Sequence, residues 1–81
     1  MNRKDAQLKA LEMIAEAQQN NTNERQRAAG VLGISTYDTV TVVRLAGDRY
    51  NVADNDNGDG AADLNEYEAT TELTHLLTDH N

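Results

Sequence analysis

The stretch Asp54-Asn55-Asp56-Asn57-Gly58-Asp59-Gly60-Ala61-Ala62-Asp63-Leu64-Asn65-Glu66 constrains this chain more than any other. Oxygen-bearing side chains recur at alternate positions, two glycines permit a sharp turn, and a glutamate closes the segment. A hard cation such as calcium asks for that arrangement. It takes six to eight oxygens at roughly 2.3–2.6 Å, so the backbone must curl and aim alternate side chains inward.

Set against the pattern D-x-[DN]-x-[DN]-G-x5-E, Gly60 falls on the turn glycine. Asn55, Asn57 and Asp59 then take the early ligand positions, Ala61 offers its carbonyl, Asp63 follows, and Glu66 closes. The run resembles the EF-hand calcium loop. That resemblance implies a bidentate Glu66, calcium as the bound ion and a helix on either side of the loop. Two positions depart from the family: Asn55 stands where Asp is usual, and Ala62 where a large aliphatic residue pairs with a neighbouring loop. A second register is open. The apolar positions Val43, Ala46, Tyr50 and Ala53 would make Asp54 and Asp56 the first ligands, with a loop one residue longer. Dockerin and thrombospondin-type loops are similar, but they come in tandem and often close with Asp.

The competing explanation needs no metal. Asn, Asp and Gly favour turns on their own account, and an acidic turn is merely solvated. Glu66 at the family offset from Gly60, with Asp63 between them, tips the reading toward a metal site.

A chain of 81 residues makes one small domain, 1–81, with the loop at 54–66. With three Tyr and neither Phe nor Trp, its core must come from Leu, Val, Ile and Ala. Small cores are marginal without a metal or a partner. Lack of cysteine excludes disulfides and thiolate sites. No apolar run approaches a membrane span, and the basic start Met1-Asn2-Arg3-Lys4 leads into no signal core. The expectation is a soluble, cytoplasmic protein, or a secreted one already processed. Of the net charge of −7, most gathers late: all seven Lys and Arg lie at or before Arg49, and eight acids follow Tyr50. Like charges so packed destabilise a fold unless something neutralises them, and a dication would.

Periodicity predicts a helix over 3–19, with Leu8, Leu11, Ile14 and Ala15 on its apolar stripe and Ala10, Met13 and Ala17 widening it. A second helix is expected over about 23–32, capped by Asn21 with Glu24 and ended at Gly33. A third is expected from Ser35, capped with Asp38 and stapled by Ile34. The β-branched run Thr39-Val40-Thr41-Val42-Val43 favours strand. The phase through Ala46, Tyr50 and Ala53 and the need for an incoming helix decide for helix. The last helix is expected over about 63–77, burying Ala69, Leu73, Leu76 and Leu77, with Tyr67 packed on the incoming helix as the family implies. His75 and His80 do not share a face and read as surface residues. The fold expected is all-α: four short helices, an EF-hand-like pair with one metal-binding loop and one degenerate hand. The missing loop partner would come from that vestigial hand, a second copy or another protein docked on helix faces.

A rival reading takes Glu24–Arg44 as a helix-turn-helix DNA reader, with Ala28 and Ala29 at the crossing and Gly33 at the turn. Its recognition segment Thr36–Arg44 offers one base and one acid. DNA affinity draws on Lys and Arg, so a pI near 4.5 weighs against it. Neither His sits in a nucleophile motif and the acids do not oppose one another across a cleft, so no enzyme is expected. The sequence thus points to a calcium protein with a structural, buffering or weakly sensing role.

Overall fold

The computed structural model describes residues 1–79. Helix α1 (Arg3–Ala17) opens the chain and a single short turn of helix, α2 (Glu24–Ala28), follows. Four strands come next: β1 (Val31–Tyr37), β2 (Val40–Leu45), β3 (Arg49–Asp54) and β4 (Gly60–Leu64). Helix α3 (Glu66–Asp79) ends it. The strands form one antiparallel sheet in the order β1-β2-β3-β4, and α1 and α3 pack on it. The architecture is α+β in two layers. The all-α expectation of four helices is overturned, and with it both the incoming EF-hand helix and the recognition helix of the DNA reading.

The physical reason lies in the period. Val40, Val42 and Arg44 on β2 are buried, and so are Tyr50, Val52 and Asp54 on β3, while the residues between them are half-exposed. That is an alternation of two, the signature of a strand with one face on a core. The spacing Val43, Ala46, Tyr50, Ala53 mimicked a helix only because it sampled both faces of two strands and the turn between them. Short turns close the hairpins: Asp38 adopts φ 53° after β1, and Gly47 and Asp48 adopt φ 76° and 56° after β2. Left-handed residues of this kind, with Asp and Gly to supply them, are what tight hairpins require.

Helix α1 starts where Asn2 accepts a hydrogen bond from the Asp5 N–H at 2.8 Å, a normal N-cap. Its buried face is Ala6, Ala10, Met13, Ile14 and Ala17. Leu8, Leu11 and Ala15, expected in the stripe, face outward. Alanines inside let α1 lie close to α3, whose buried Ala69, Leu73, Leu76 and Leu77 match the expectation. The second helix is shorter than expected, and its capping box joins Asn23 and Gln26, not Asn21 and Glu24. Asn21 instead brackets the outer edge of β1, accepting from the Ile34 N–H at 2.8 Å and donating to its carbonyl at 2.7 Å. Gly33 lies so close to the end of α1 that a Cβ there would sit 1.6 Å from the Ala17 carbonyl oxygen. Arg44, buried beneath, donates to that same oxygen at 2.8 Å and to Asn20 Oδ1 at 2.6 Å, tying the helix end to the sheet.

Candidate functional site

The Asp-rich stretch forms the β3–β4 hairpin. Asp54, the last residue of β3, is buried, and its Oδ1 accepts from the Thr39 hydroxyl at 2.8 Å and the Asp56 N–H at 3.0 Å. The Asp54 N–H donates to the Asp59 carbonyl at 2.7 Å, and the Gly58 N–H to the Asp54 carbonyl at 2.9 Å. Asn57 Oδ1 accepts from the Asp59 N–H at 2.9 Å. These are two successive Asx turns, side chains closing on the backbone two residues ahead. Asn55 donates its N–H to the Thr39 carbonyl at 2.8 Å and ties this hairpin to the β1–β2 turn.

Asp54, Asn55, Asp56, Asn57 and Asp59 therefore share one turn, and the remaining expected ligands are elsewhere. Ala61 pairs with Val52 within the sheet. Asp63 forms an ion pair with Arg49, Oδ1 to Nε 2.9 Å. Glu66 begins α3 and accepts a hydrogen bond from the Gln18 side chain at the end of α1. β4 has five residues, so roughly 17 Å of extended chain separates the turn from Glu66. In an EF-hand a helix would begin there and bring the glutamate back. Among the described residues, no group of three or more His, Asp or Glu could hold a metal ion. The metal-binding group read from the motif is therefore not found among the described residues, and the helix-loop-helix frame expected around it is replaced by strands: the stretch is a self-bonded hairpin. The cap of α3 is built by Asn65 and Glu68, whose side chains exchange hydrogen bonds with each other's N–H at 2.8 and 2.9 Å. That capping box was legible as Asn65-x-x-Glu68 but was hidden by assigning Glu66 to calcium.

A second region presents itself on the helical layer. The C-terminal end of α1 meets the start of α3 through Gln18 and Glu66, so the two helices run antiparallel. A groove of about 450 Å³ lies between them, lined by Arg3, Leu11, Tyr67, Thr70, Thr71 and Thr74 among others. The Thr70 and Thr74 hydroxyls donate to the Glu66 and Thr70 carbonyls at 2.9 and 2.7 Å within the helix, and so are already satisfied. Tyr67 is 80% exposed, not packed between helices as expected, and Leu8 and Leu11 are 58% and 50% exposed. Helix α1 thus buries alanines and turns leucines to solvent. The single apolar stripe expected from periodicity contains residues of both faces. The signal that separates them is the run Ala6, Ala10, Met13, Ala17 at spacings of four, three and four, which is itself a complete helical face.

A more polar bowl of about 540 Å³ opens at the same end of the molecule, with Gln18, Arg44, Arg49, Asn65 and Glu66 in its wall. Three of its charged groups hold partners within the chain: Arg49 with Asp63, Glu66 with Gln18, and Arg44 with Ala17 and Asn20; Asp48, on the turn after β2, also lines it. Of the histidines, His75 lies 67% exposed and 3.4 Å from Asp79, and His80 lies outside the described residues. No described helix is long and apolar enough to cross a membrane. No family model matches the chain, and neither a curated protein nor a solved structure matches it.

Proposed function

We propose that this chain is a non-enzymatic protein-binding module whose α1–α3 groove takes an amphipathic, basic segment of another protein. One observation carries the reading: the helix that buries alanines presents Leu8 and Leu11 outward, and Leu11 shares a groove with the exposed Tyr67. Aromatic and aliphatic groups gathered beside a concave surface favour a partner's apolar side chains. The sign of the partner follows from charge. α3 carries Glu66, Glu68, Glu72 and Asp79 and no Lys or Arg, on a chain of net charge −7. In the groove's own lining Arg3 and Glu66 balance. The bias comes from the acids elsewhere on α3 and from the whole chain, whose net charge of −7 speeds encounter with a cationic partner and repels an anionic one, nucleic acid included.

The test is a titration of the full chain with a synthetic helix-forming peptide bearing Leu and Lys at helical spacing, followed by amide chemical shifts. Shifts should concentrate on Leu8, Leu11, Tyr67 and Thr71, and binding should weaken as salt is raised. Shifts confined to the 55–59 turn, or none at all, would overturn the proposal. A tenfold loss for Leu11→Gln would correspond to about 1.4 kcal/mol.

A further inference from the structure

The tip of the β3–β4 hairpin carries chemistry of its own, unconnected with the groove. Asn57 is the one asparagine in the chain that precedes a glycine. Asparagine is a heat-labile side chain, because the next residue's backbone nitrogen can attack its Cγ and close a five-membered imide. A Cβ on that next residue hinders the approach, and Gly58 has none. Asn55 to Gly60 are all exposed, and a Cβ built on Gly58 would meet nothing within 4 Å. Water and the forming ring both have room.

The hydrogen bonds of the turn bear on both reacting atoms. The Asp59 N–H donates to Asn57 Oδ1 at 2.9 Å, which polarises the carbonyl under attack and steadies the oxyanion that forms on it. The Gly58 N–H donates to the Asp54 carbonyl at 2.9 Å, so the nucleophile is freed when that bond opens. The Asp59-Gly60 pair nearby is held differently. Gly60 pairs with Ala53 in the sheet, and a Cβ there would sit 2.3 Å from the Val52 carbonyl oxygen. Asn2, Asn23 and Asn65 are engaged as helix caps and precede residues that carry a Cβ.

We infer that Asn57 deamidates through an imide with Gly58, which makes this hairpin tip a self-modifying site of the folded chain. The Gly58 nitrogen loses its proton to hydroxide and bonds to Asn57 Cγ, the Cγ–Nδ2 bond breaks, and ammonia leaves. Water then opens the ring at either carbonyl. Opening at Cγ gives aspartate, and opening at the main-chain carbon gives isoaspartate, whose backbone runs through the side chain. In sum, an amide and water become a carboxylate and ammonium, with no change of oxidation state. Either product adds a negative charge beside Asp54, Asp56 and Asp59. Aspartate keeps an acceptor for the Asp59 N–H. Isoaspartate lengthens the chain by a methylene and disturbs the bond between the Asp54 N–H and the Asp59 carbonyl across the turn.

Warm incubation of the full chain at neutral pH, followed by peptide mass spectrometry, tests this. The mass gain of an amide-to-acid exchange should appear in the peptide holding residue 57. Isoaspartate should be among the products, since direct hydrolysis yields aspartate alone. The rate should rise about tenfold per pH unit with the deprotonated amide. Gly58→Ala should slow the reaction, and Asn57→Gln, which cannot close a five-membered ring, should abolish it. Asp54→Ala, which frees the turn from Thr39, should speed it several-fold, with circular dichroism verifying the fold of each variant. An amide retained in the folded chain but lost from the same peptide once excised would overturn the inference. So would a gain at Asn55 in place of Asn57, aspartate without isoaspartate, or a rate unmoved by Asp54→Ala.

Discussion

At the scale of single residues, two positions show how closely the layers are joined. A Cβ at Gly33 would land 1.6 Å from the Ala17 oxygen, so Gly33→Ala must push α1 off the sheet and break the bond from Arg44. A loss of several kcal/mol is expected, in the range of severe overpacking, read as a fall in the denaturation midpoint. Asp54 is the other. Its buried carboxylate accepts from Thr39 and Asp56, which joins two turns. Asp54→Ala should cost about 1–3 kcal/mol for the donors it leaves unsatisfied. Asp59→Ala keeps the backbone bonds of the turn and should cost within about 0.5 kcal/mol. Equal effects at the two positions would contradict the assignment of Asp54 as the organising residue. None of this was readable from composition. The Asp-rich spelling that suits a cation also suits Asx turns, and the two differ only in whether the oxygens face a common centre or their own backbone.

Among elements, α3 was the most legible, because Ala69, Leu73, Leu76 and Leu77 keep one face without competition. Its start was misplaced by taking the helix to begin with the metal loop, whereas Asn65 and Glu68 cap it. Asn65→Ala is expected to cost about 1 kcal/mol as a lost N-cap. Glu66→Gln keeps an acceptor for Gln18 and should change the melt far less. The reverse order would restore a special role to Glu66. Helix α1 was right in extent and half right in facing, since one helix carries two apolar stripes and periodicity alone does not say which is buried. The strands were missed for a different reason. The β-branched run at 39–43 was a local strand signal, and it was overruled by a motif that demanded a helix there.

For the whole molecule, the consequence is a division of surfaces. One face of the sheet is filled by α1 and α3, the other is neutral and half-exposed, and the acids gather at the hairpin and along α3. Leucines turned to the surface, half or more exposed, stabilise the isolated chain far less than core leucines would. Their use, on the reading proposed, is in contact with another protein. The most direct test measures stability and binding together on the double variant Leu8→Gln, Leu11→Gln. The account predicts an unfolding free energy within about 0.5 kcal/mol of the parent, as for exposed positions, with binding of the Leu- and Lys-bearing helix lost. A double variant destabilised by the roughly 2–5 kcal/mol per site typical of core leucines, or one that binds the peptide unchanged, would contradict it.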